Sequence, residues 1–182
     1  MGFFRKPAVA ATVMVLMIIV GTLTGSHASL NRMRNEALRV FANGINGDGI
    51  GIQNDLNERT SAAYNMTTIA GKYLPENNVV IREVLLAREE ALKASTLSEK
   101  LAADRKLETT VLDLYQVMSS LALSPQDERY PARLYTDFTS RGSTISHDPY
   151  HQVAATFNEA LTGFPANILG RLTGVTALPA FR

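Results

Sequence analysis

The chain contains no cysteine and no tryptophan. The first absence excludes structural disulfides, thiolate metal centres, cysteine nucleophiles and a cysteine-linked lipid anchor. An excess of charge of one sign is lacking too: 18 basic and 17 acidic residues leave a formal net charge of +1. No Lys/Arg-rich run occurs, so the footprint of a nucleic-acid-binding protein is missing. So are the common catalytic signatures: there is no G-x-S-x-G, no phosphate loop and no H-E-x-x-H. What remains, 182 residues of which 46% are hydrophobic and 19% charged, describes one ordinary globular domain and not a disordered chain.

One long hydrophobic run is present. After Arg5 and Lys6, Ala8 to Thr24 carries no charge for 17 residues. Gly25 and Ser26 extend it toward the ~20 residues that a membrane span needs. Basic residues before the run favour a cytoplasmic N-terminus by the positive-inside rule, although Arg32, Arg34 and Arg39 follow on the other side. This predicts a bilayer-crossing segment over residues 8–25. A cleaved signal peptide is the competing reading, because Ser26-His27-Ala28 offers small residues at a cleavage site. Both readings put the rest of the chain outside the cytoplasm. Gly21 and Gly25 form a G-x-x-x-G pair, a spacing through which two spans can associate. The plainer reading is that these small residues only end the span.

Beyond the run the periodicity is helical, without strand-like alternation. Leu30, Met33, Ala37, Val40 and Phe41 share one face. Ile52, Leu56, Ala63, Met66, Ala70 and Tyr73 share another, closed by Pro75. Val80, Val84, Ala87 and Ala91 mark a third helix. Leu107, Val111, Leu114, Met118 and Leu121 step by four and three, a seam suited to a bundle. A helical stretch from Asp127 to Arg141 follows Ser124-Pro125. In the last strong helix, Asp148 is a suitable N-cap, Pro149 fits the first helical position, and Val153, Phe157, Leu161 and Phe164 form the stripe. Pro165 ends that helix, and Ile168, Leu169 and Leu172 supply a further apolar face in the tail, which is expected to fold back over the open end of the bundle, the alternative being a contact with the membrane or a partner. These stripes can be buried only against one another, which predicts an all-α antiparallel bundle.

Between the first two helical patterns, residues 43–55 hold Gly44, Gly47, Gly49 and Gly51 among Asn43, Asn46, Asp48, Asn54 and Asp55. Read as an EF-hand loop with Gly49 sixth, Asp48 falls fifth, Asn46 third and Asp55 twelfth, but Gly44 brings no ligand to the first place. A helix-breaking loop is the simpler reading, since each glycine costs a helix interior ~1 kcal/mol. His147 and His151 have a metal-compatible i, i+4 spacing, yet Pro149 divides them. Asn65-Met66-Thr67 matches a glycosylation sequon within a predicted helix. Glu89 and Glu90 read as solvated helix residues. The sequence therefore assigns no catalytic, cofactor-binding or metal-ligating residue.

The C-terminal stretch Tyr150–Gly174 resembles the closing motif of the LemA family. Tyr150 takes the first aromatic place, with His151 where that family has Asn. Phe157-Asn158 fill the second aromatic–Asn pair, and Phe164-Pro165, Asn167, Leu172 and Gly174 complete the motif. Upstream, Leu56, Arg59, Asn65 and Tyr73 match the family's Leu-x-x-Arg…Tyr signature, with Tyr64 in place of its usual Pro. Tyr130-Pro131 and Phe138 resemble a further segment. The likeness covers nearly the whole chain, although the middle is similar only in pattern. It implies one N-terminal membrane segment followed by long antiparallel helices, and it brings no known reaction. It also implies that the glycine stretch is an insertion that breaks one long helix.

The expectation is a membrane-anchored LemA-like protein of the cell envelope with three parts. These are a cytoplasmic N-terminus and anchor (1–28), an extracytoplasmic bundle (29–164) and an apolar tail (165–182). It would act as a scaffold or partner-binding module with an unknown envelope partner, without catalysis. The alternative is a calcium-responsive protein using loop 43–55.

Overall fold

The computed structural model describes residues 7–75 and 77–181. Arg5 and Lys6 lie outside the described residues. The chain is all-α, with no strand among the described residues. Its helices are α1 (Pro7–Asn43), α2 (Ile52–Ala70), α3 (Val79–Lys93), α4 (Leu97–Ser119), α5 (Arg129–Ser146), α6 (Tyr150–Thr162) and α7 (Ala166–Thr173). They fall into two compact units. One comprises the chain up to Leu38 together with Gln152–Leu178, and the other Arg39–His151 together with the chain end from Pro179.

In the larger unit, α2 to α5 form a four-helix bundle. Its core is the set of stripes read from sequence: Ala63, Met66, Ala70, Val84, Ala87, Leu107, Val111, Leu114 and Met118 are buried, with Phe138 of α5 among them. Helix α3 turns slightly from its expected face, burying Ile81 and leaving Val80 at the margin. Ion pairs at both ends give the direction of α5. Asp55 at the start of α2 meets Arg141 near the end of α5, 2.8 Å apart, and Lys72 just past α2 meets Asp127 just before α5, 3.0 Å apart. The two helices are therefore antiparallel. α5 runs on to Ser146, past the Arg141 limit expected from sequence.

Local signals start and stop these helices. Thr96 and Glu99 close a capping box at the start of α4, each satisfying the other's backbone N–H. The Glu99 carboxylate accepts from the Thr96 and Ser95 amides, which lowers its pKa to about 2. Asn78 caps α3 through the Val80 amide. Asp148 accepts from the Tyr150 amide at 2.7 Å, the expected N-cap of α6.

The glycine stretch is a loop between α1 and α2. Gly44 takes φ +74°, a left-handed conformation that L-residues avoid, and its amide closes on the Val40 carbonyl. The Arg39 guanidinium donates to the carbonyls of Gly44 and Ile45, tying the start of this loop back to the last turns of α1.

Helix α1 is unbroken over 37 residues, about 55 Å at 1.5 Å per residue, and its part up to Leu38 belongs to the smaller unit. The boundary expected at residue 28 falls inside it. The smaller unit also holds most of α6, and α7 with the segment after it. The turn expected at Phe164-Pro165 is present, between the end of α6 and the start of α7. Two burial expectations fail there. Phe164, placed by periodicity at the end of a buried stripe, is 82% exposed. Of Ile168, Leu169 and Leu172, only Leu169 is buried. The reason is that α6 stops at Thr162, so Phe164 leaves the helical face that buries Phe157. The buried side of α7 is narrow, set by Leu169 and by Gly170 against Leu161.

Candidate functional site

Arg59 occupies the inward face of α2 and is 2% exposed. Its guanidinium carbon stands 4.1 Å from the centroid of the Phe138 ring. Nε lies 2.9 Å from Asp104 Oδ1, and Nη2 lies 3.5 Å from Glu108 Oε2. Neither nitrogen points its N–H squarely at an acceptor, so charge attraction and the aromatic face hold the group more than linear hydrogen bonds do. Space for Nη1 comes from Gly142 of α5, where any Cβ would collide with it. One side chain of α2 thus touches both α4 and α5.

Burial pushes the Asp104 carboxyl above the usual carboxylate range. The Arg59 charge opposes that rise, and Glu108 adds to it. Asp104 also borders a cavity of about 70 Å³ lined by Leu56, Thr60, Ala91, Lys100 and Leu107. That volume suits a few water molecules and is far below the ~300 Å³ of ordinary ligand sites.

A second polar cluster joins the C-terminal end of α2 to the loop before α5. The Tyr73 hydroxyl donates to Asp127 at 2.7 Å, Lys72 donates to the same carboxylate, and the Ser124 amide donates to the Tyr73 oxygen. The Tyr73 and Lys72 bonds hold the Asp127 pKa below its ordinary value, and Asp127 raises that of Lys72.

The remaining sequence candidates are dispersed. Asp48 accepts from the Ile50 amide within its own loop, while Asp55 turns away to Arg141. The calcium reading gains no ligand set from that placement. The His147 Nδ1 donates to the Ser143 carbonyl, and the His151 Nε2 donates to the Ile145 carbonyl. Asn65 is exposed on α2. Glu89 pairs with Lys93 and Glu90 with Lys106, all at the surface. No group of three or more His, Asp or Glu among the described residues is arranged to hold a metal ion.

The residues of the closing motif clamp the tail. The Tyr150 hydroxyl donates to the Pro179 carbonyl at 2.9 Å, and burial pushes its pKa up to about 12. The Asn158 amide pairs with both backbone groups of Leu178, at 2.9 and 2.8 Å. Phe181, Tyr150 and Phe41 form an aromatic cluster with ring centroids 5.3 to 6.2 Å apart. Part of the tail, Leu178 and Phe181, is therefore buried.

Among the described residues, α1 carries a long exposed apolar run. Met14 to Val20 are seven consecutive apolar side chains, each 47–64% exposed, in a helix long and apolar enough to cross a membrane. The polar groups beside them turn inward: the Thr22 hydroxyl donates to the Ile18 carbonyl and that of Thr24 to the Val20 carbonyl. The space beside Gly21 and Gly25 is open. The chain matches no protein-family model and no curated protein.

Proposed function

We propose that this chain is a single-pass, LemA-like protein of the cell envelope. Its helical bundle lies outside the cytoplasm and serves as a scaffold or partner-binding module without catalysis. The observation that carries this reading is the exposed run Met14–Val20. Seven adjacent large apolar side chains in water are costly, and a bilayer removes that cost. The inward-turned threonine hydroxyls support it, since hydrocarbon offers them no partner. Arg5 and Lys6 before the run support a cytoplasmic N-terminus. The internal polar sites favour a structural role. The cavity beside Asp104 is small, and Arg59 and Asp127 are taken up by contacts between helices.

The absence of cysteine makes topology directly measurable. A single exposed reporter, Ser98→Cys, should react with a membrane-impermeant maleimide added outside intact cells. The full-length chain should also resist carbonate extraction. Labelling only after lysis would overturn the orientation, and extraction into the soluble fraction would overturn the anchor. A mature N-terminus at Ser29 would establish cleavage instead. Crosslinking in intact cells followed by mass spectrometry would identify the envelope partner.

A further inference from the structure

The turn between α6 and α7 carries a second exposed apolar group in the smaller unit. Phe164 is 82% exposed, Leu172 77% and Ile168 47%. Ile168 and Leu172 are one helical turn apart on α7 and both exposed, whereas Leu169 and Gly170 are buried. Arg171 is exposed beside them.

The height of this corner along α1 follows from side-chain neighbours. Phe41 of α1 meets Tyr150 at the start of α6. Farther along, Arg32 and Met33 of α1 share a groove with Val153 and Thr156 of α6. Advancing along α6 therefore retreats along α1. Phe164 is eight residues beyond Thr156, and eight residues back from Met33 is Gly25. The α1 interval spans about 12 Å at helical rise, and α6 covers about 9 Å of the other before it ends at Thr162. The corner thus stands beside the end of the uncharged run, where its exposed apolar stretch gives way to residues covered by protein: Leu23 and Ser26 are half-buried and Leu30 is buried.

The geometry points to a second lipid contact: Phe164, Ile168 and Leu172 enter the bilayer interface beside α1, with Arg171 and Arg32 reaching anionic headgroups. This rests on the reading of α1 as a membrane span, with which the patch is continuous. A short helix with large apolar side chains on one face and a flanking arginine suits an interface in which apolar and charged groups are both accommodated. The contact would hold the start of the soluble region against the membrane surface at two points, α1 and the corner.

The chain has no tryptophan, so a substitution introduces a lone fluorophore. Full-length Phe164→Trp and Met17→Trp variants would be reconstituted in vesicles of phosphatidylcholine and phosphatidylglycerol. The lipids would carry a nitroxide either near the headgroup or near the chain end. Phe164→Trp should emit at blue-shifted wavelength and be quenched most by the headgroup-proximal label, and Met17→Trp most by the deep label. Leu172→Trp should repeat the shallow result. If Met17→Trp is quenched while Phe164→Trp and Leu172→Trp emit as in water, the corner contact is overturned and the anchor stands. Blue-shifted emission without quenching at the corner overturns it in favour of protein cover. Loss of quenching at Met17→Trp overturns the anchor reading and the inference with it.

Discussion

The Arg59 guanidinium lies over the ring of Phe138 at 4.1 Å, with Asp104 on its other flank. This places a full charge inside a bundle core. Removing one partner of such a pair leaves the other buried and uncompensated. Arg59→Ala should therefore destabilise the protein by ~3–5 kcal/mol, read by denaturant unfolding. Arg59→Met with Asp104→Leu should recover most of that loss, because an apolar pair of similar volume carries no desolvation cost. If the double variant is no more stable than Arg59→Ala, the cluster contributes more than charge balance.

Gly142 gives a test of sign. In an exposed helix interior Gly→Ala stabilises by ~1 kcal/mol. Here the added methyl would meet the Arg59 guanidinium, so Gly142→Ala should lower the unfolding midpoint. In an Arg59→Met background the same change should become neutral or favourable.

Acid should act on the cluster at the end of α2. The folded-state pKa of Asp127 is lowered, first by Tyr73 and then by Lys72. Its contribution is present above the unfolded carboxylate pKa and is lost as pH falls through the folded value. Tyr73→Phe removes the leading cause. The acid-unfolding midpoint should shift to higher pH, with little change in the midpoint shift caused by salt.

Two phenylalanines in the last part of the chain should behave in opposite ways. Phe181, 2% exposed against Tyr150 and Phe41, should cost ~3–5 kcal/mol when changed to Ala. Phe164 is 82% exposed, and Phe164→Ala should alter the stability of the detergent-solubilised protein by under ~0.5 kcal/mol. Thermal unfolding of the two variants compares them directly.

The helical stripes were legible because apolar residues recur at helical spacing, and Leu107, Val111, Leu114 and Met118 are all buried. Arg59 and Asp104 were harder to place because charge argues for the surface. A positional signal was nevertheless present. Ile52, Leu56, Arg59, Ala63 and Met66 step by four and three, and so do Asp104, Leu107, Val111 and Leu114. Each charged residue fills an inward seam position, and opposite charges on two such seams can pair. The continuity of α1 was hidden by Gly25 and Ser26, which resemble a boundary in composition while their backbone stays helical. Phe164 misled for the reverse reason: its spacing fits the α6 stripe, but the helix ends before reaching it.

The cluster of Phe41, Tyr150 and Phe181 joins positions separated by up to 140 residues of sequence. The α2–α5 bundle, by contrast, is built from helices that follow one another through short connections. Closing a long loop has an entropic cost that neighbouring helices avoid. The bundle should therefore assemble first, and the aromatic cluster should close over already folded helices as a late event. Tension applied to the C-terminal end would meet that same cluster before any other part of the larger unit, making it the first fastening to give way when the chain is pulled.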